Sequence, residues 1–91
     1  MKSYIACYDL HVPGQKYEEV KSIIASYPSS LAIQQSVWVV TSELTADQIR
    51  DSVYSTLDDG DVLLVTEMGP DASWANYNEE FSSWFQAVRA G

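Results

Sequence analysis

Residues 3–10 are apolar at nearly every position and rich in β-forming types, and no other stretch limits the possible folds as strongly. A strand that offers apolar side chains on both faces must be covered on both, so it belongs in the middle of a sheet. Alternation assigns Ile5, Cys7 and Asp9 to one face and Tyr4, Ala6, Tyr8 and Leu10 to the other. Asp9 falls where the strand ends.

The four residues His11, Val12, Pro13 and Gly14 break that strand, because proline lacks the N–H a ladder requires and glycine permits a tight reversal. From about Gln15, a helix is predicted: Tyr17, Val20, Ile24 and Tyr27 recur at helical spacing, charged residues lie between them, and Pro28 stops the run. Residues 31–41 are β-rich but long for one strand, and the polar Gln34, Gln35 and Ser36 divide them into two strands that meet near Gln35 and Ser36. No glycine or Asn-Gly pair marks a tight turn there, so a single bent strand is the alternative.

Thr45, Ala46, Asp47 and Gln48 have the spacing of a capping box, with the threonine hydroxyl and the glutamine amide each serving the other's backbone. Ile49, Val53 and Leu57 then line one helical face, and Asp58, Asp59, Gly60 and Asp61 end the element with turn chemistry. Residues 62–68 supply a last strand before Gly69 and Pro70. Beyond them Phe81, Trp84, Phe85 and Val88 follow the i, i+3, i+4, i+7 rule behind a cap at Asn76 or Asn78, which predicts a third helix. Trp74 and Trp84 require that helix to dock on the domain or on a second copy.

Strand, helix, two strands, helix, strand is the order of a ferredoxin-like βαββαβ unit. The expected α+β fold has an antiparallel four-stranded sheet, two helices on one face, and a C-terminal amphipathic helix. Ninety-one residues suffice for one core, so residues 1–69 form it and residues 70–91 extend it as part of one domain. Either the C-terminal helix or a second subunit covers the other sheet face, and a homodimer is expected.

Five basic and thirteen acidic side chains give a net charge of −8. Such a field repels polyanions, and the five basic residues form no run, so nucleic-acid binding is disfavoured by charge. No apolar stretch approaches the roughly 20 residues that span a bilayer, and the first residues lead into a strand rather than a signal-peptide core, so no membrane association and a cytoplasmic location are expected. Cys7, the single cysteine, excludes an intrachain disulfide and reads as a small buried hydrophobe.

Asp9 is the candidate metal ligand and catalytic residue. A carboxylate at the mouth of a central strand is placed to hold a hard cation, and two copies meeting at Asp9 would bridge one Mg²⁺ or Mn²⁺. The competing reading has Asp9 capping the following loop through its own backbone. His11, two residues on, is a candidate second ligand or general base, or else a solvated loop histidine. Gln34, Gln35 and Ser36 read as turn or bulge residues before they read as ligand contacts, and Tyr4, Tyr8, Trp38, Phe81, Trp84 and Phe85 read as core or interface, with no basic residues interleaved for base stacking. Asp58, Asp59 and Asp61 lack the remainder of a calcium loop and read as a solvated turn. No P-loop, GxSxG, dinucleotide glycine pattern or HExxH is present, and no organic cofactor is expected.

Several features together carry a resemblance: Tyr8, Asp9 and Leu10 closing the first strand, a helix ending at Tyr27 and Pro28, then Gln35 to Val39, then Leu44 and Thr45 opening the second helix. Over residues 4–68 the chain resembles the Cas-two family, the small CRISPR-associated subunit of spacer acquisition, and its stand-alone relatives, which include virulence-associated protein D ribonucleases. The resemblance implies a ferredoxin-like homodimer with facing sheets, Asp9 as the metal-binding aspartate near the dimer axis, and either a metal-dependent endonuclease, with RNA favoured over DNA, or a structural adaptor. Where typical members carry arginines after the aspartate, this chain has His11, Val12, Pro13, Gly14, Gln15, Lys16, Tyr17, Glu18 and Glu19. That departure, with the net charge, motivates the alternative of a non-catalytic acidic module that binds a basic protein in a defence or counter-defence role.

Overall fold

The computed structural model describes residues 2–11 and 17–90, apart from the side chains of Tyr17 and residues 88–90. The loop expected over Val12, Pro13 and Gly14, the helix start expected at Gln15, and the side chain of Val88 lie outside those limits. Strand β1 (Lys2–Asp9) runs antiparallel between β3 (Val37–Ser42) and β4 (Val62–Glu67), and β2 (Ser29–Gln34) lies outside β3, so the sheet order is β2-β3-β1-β4. The apolar run is central, as its two-sided hydrophobicity requires. With helices α1 (Tyr17–Ala25) and α2 (Ala46–Tyr54) inserted after β1 and β3, the architecture is the ferredoxin-like βαββαβ fold.

Both helices lie on the face that carries Tyr4, Tyr8, Trp38 and Val40. Val20 and Ile24 of α1 and Ile49 and Val53 of α2 close the core there with at most 1% exposure. Each such aliphatic side chain contributes about 1.5–3 kcal/mol through burial, which explains why the apolar positions at helical spacing dictate the packing face. The Tyr4 hydroxyl reaches the Leu44 carbonyl at 2.8 Å, so an aromatic in the core still satisfies its polar end.

Two strands, rather than one bent strand, account for the stretch around Gln35. Gln34 pairs with Val37 across a two-residue turn formed by Gln35 and Ser36. Among the described non-glycine residues only Asn76 has positive φ, so this turn is neither of the mirror-image types that hairpins usually take. A register shift between Ala32 and Gln34 accompanies it, a bulge that supplies the twist such a turn does not.

The capping box forms as read: the Gln48 amide donates to Thr45 Oγ1 at 3.2 Å and the Thr45 amide to Gln48 Oε1 at 2.9 Å. Helix α2 stops at Tyr54, one turn before Leu57. The Ser55 and Thr56 hydroxyls donate back to the Ser52 and Val53 carbonyls at 2.7 and 2.8 Å, which offers the backbone an alternative to continued helix. Leu57 still packs against the core from the turn that follows.

Helix α3 (Glu79–Ala90) is capped by Asn78, whose Oδ1 accepts the Phe81 amide at 2.9 Å. It lies over the sheet face opposite α1 and α2. Phe85, 3% exposed, is surrounded by Trp74, Tyr77 and Trp84 at ring-centroid distances of 5.2, 5.2 and 5.9 Å, and Val39 beneath this layer has no exposure. Trp84 Nε1 also donates to Ser29 Oγ on β2 at 3.4 Å. The C-terminal helix therefore covers the β2–β3 side of this face and leaves β4 open, with Val62 63% and Leu64 56% exposed.

Candidate functional site

Asp9 is the last residue of β1, opposite Val62 of β4, and its side chain is exposed on the face shared with Ile5 and Cys7. Among the described residues the Asp9 side chain has no hydrogen-bond or ion-pair partner. Beside it the uncovered part of the sheet forms a short apolar strip, in which Cys7 faces Leu64 across the ladder and Asp9 faces Val62. Cys7 is half-buried there, not deeply buried.

The backbone amide of His11, just past the end of β1, is held by Asp61. Its Oδ1 accepts the backbone amide of His11 and its Oδ2 accepts the amide of Asp58 at 2.8 Å, while its own amide donates to the Asp58 carbonyl at 3.0 Å. One carboxylate thus closes the turn before β4 and fastens the end of β1 to it. The sequence carried a trace of this role, an aspartate directly after glycine and directly before a strand, but nothing in it named His11 as the partner.

His11 is exposed, and its ring rests on Gly60: a Cβ built at Gly60 would stand 2.7 Å from His11 Cγ and 2.9 Å from His11 Cβ. Glycine is needed at position 60 for this close approach. The described contacts of His11 are with the turn of residues 58–61. Gln34, Gln35 and Ser36 serve the hairpin, with the Ser36 carbonyl accepting the Tyr8 amide at 3.1 Å. Tyr4, Tyr8, Trp38 and Phe85 are buried, in keeping with the core reading of the aromatics.

Every basic side chain among the described ones is engaged by a carboxylate. Lys2 meets Glu67 at 3.7 Å, Lys21 meets Glu18 at 3.8 Å, and Arg50 meets Asp47 at 3.5 Å and Asp51 at 3.0 Å. The hydrogen bonds that Arg50 donates to Asp51, then the charges of Asp51 and Asp47, raise the pKa of the Arg50 guanidinium above its ordinary value. These pairs are solvent-exposed and add little to stability, but they leave no described patch of positive charge for a phosphate backbone.

Among the described residues no three His, Cys, Asp or Glu side chains converge as a metal cluster. Mg²⁺ and Mn²⁺ take oxygen ligands and retain several waters, with one or two carboxylates from the protein. Among the described residues Asp9 is the carboxylate without a described partner at this point, and its donor type suits such an ion. No described helix is long and apolar enough to cross a membrane. No protein family, curated protein or solved structure matches the chain.

Proposed function

We propose that the chain acts as a Cas-two-like homodimer in which the Asp9 carboxylates of two copies hold a divalent ion, and that it is a metal-dependent endonuclease with RNA favoured over DNA. The observation that carries this reading is that the Asp9 side chain has no partner among the described residues. A carboxylate retained for structure would make the bonds that Asp61 makes, whereas Asp9 stands open to solvent at the end of the central strand. The apolar strip of Cys7, Val62 and Leu64 beside it supports the pairing of two copies, because burying it would bring the two strand ends toward each other. A bound Mg²⁺ or Mn²⁺ would supply Lewis acidity toward a phosphodiester. The protein's own part is to hold that ion through Asp9 and to position the strand end through the bond from His11 to Asp61.

The test is cleavage of labelled RNA and DNA with Mg²⁺ or Mn²⁺, beside Asp9→Ala. Activity present in the wild type and lost in the variant is expected. Equal activity in both, or none in either, removes the enzymatic reading.

A second reading, a non-catalytic acidic module for a basic protein partner, is favoured by one observation: the described basic side chains are all neutralised within the chain while its net charge is −8. Such binding weakens steeply with salt. Capture of a basic protein at low salt and its release at high salt would support this reading, and recovery of neutral partners only would count against it.

A further inference from the structure

Helix α3 and the irregular segment before it do not seal against the sheet. Between them lies a crevice of about 240 Å³, with Ile5, Ile33 and Val37 at its floor and Trp74 and Tyr77 among its walls. The crevice opens to solvent past the exposed Gln34 and Ser73, while Val39 and Phe85 lie packed behind its lining.

We infer that this crevice is a binding site for a small, uncharged, one- or two-ring aromatic molecule. Three observations fix the class. First, the volume lies just below the roughly 300–1,000 Å³ of sites for drug-sized ligands, which limits the occupant to one or two rings. Second, the half-buried rings of Trp74 and Tyr77 border the recess, each held against the buried Phe85 at a centroid distance of 5.2 Å, so aromatic surface is available for ring-to-ring contact. Third, none of the described residues that line it is charged, and its hydrogen-bonding side chains include the Gln34 amide and the Ser73 hydroxyl, so a neutral ring with one polar edge fits. A net charge of −8 further disfavours an anionic ligand. The inference is independent of the proposed nuclease, because Asp9 lies outside the lining residues.

Indole is the probe, titrated into the full-length chain and followed by backbone and side-chain amide shifts. Saturable shifts of the Trp74 indole N–H and the Gln34 side-chain amide are expected, with indole-3-acetate binding at least tenfold more weakly. Val37→Phe, which fills the recess from its floor, should abolish the shifts while circular dichroism stays native; if that variant fails to fold, Ile33→Phe at the bulge serves the same purpose. Absence of saturable shifts in the wild type overturns the site. So does undiminished binding in a folded filled variant, or indole-3-acetate binding as tightly as indole.

Discussion

The backbone amide of His11 donates to Oδ1 of Asp61, fifty positions further along the chain, and this one bond ties the exit of the central strand to the entrance of the edge strand. Because the same carboxylate also holds the Asp58 amide, the turn before β4 and the end of β1 form one unit. Asp9 sits beside that unit without joining it. The two aspartates are therefore separable by experiment.

Asp61→Ala should lower unfolding free energy by about 1–2 kcal/mol, since two backbone amides lose a charged acceptor in a partly solvated setting. Asp9→Ala should change it by less than about 0.5 kcal/mol, the usual range for an exposed side chain with no described partner. Urea denaturation of both variants checks this. An Asp9→Ala cost equal to that of Asp61→Ala would make Asp9 structural and weaken its assignment to the site.

Leu64→Lys addresses the strip. Leu64 is 56% exposed, so the substitution leaves the isolated fold intact, yet it places a charge in any contact between two copies. Light scattering should give twice 10.2 kDa for the wild type and a single-chain mass for the variant at micromolar concentration. A wild type of single-chain mass would rule out a site shared between two Asp9 residues.

Phe85→Ala should cost about 3 kcal/mol, within the range for removing a buried aromatic, and should loosen α3, because Phe85 is the ring on which Trp74, Tyr77 and Trp84 converge. A red-shifted tryptophan emission with retained far-ultraviolet dichroism would report release of the aromatic layer from an intact core. Unchanged emission would mean that the other rings hold the helix without it.

Thr45→Ala should cost about 1 kcal/mol through loss of the α2 cap. Combined with Gln48→Ala, the cost should fall short of the sum of the two single effects, because their bonds form one reciprocal motif. Strict additivity in denaturant titrations would show that the two bonds act independently.

Much of the fold was legible in residues because its signals are short-ranged. Period-two alternation separated Tyr4, Ala6 and Tyr8 from Ile5, Cys7 and Asp9, period-3.6 spacing gave Val20 with Ile24 and Ile49 with Val53, and the capping box at Thr45 lies within four residues. The end of α2 was harder to see, since Ser55 and Thr56 stop the helix by hydroxyl bonds that compete with an apolar spacing reaching Leu57.

The order of strands and helices, the faces of the central strand and the presence of a carboxylate at its end all follow from side chains a few positions apart. That Asp61 holds the His11 amide, that α3 covers β3 and leaves Leu64 in solvent, and that a recess lies beside Trp74 and Tyr77 emerge only in three dimensions. Those outcomes depend on pairs of residues far apart in the chain, and local periodicity carries no information about which distant groups the sheet register brings together.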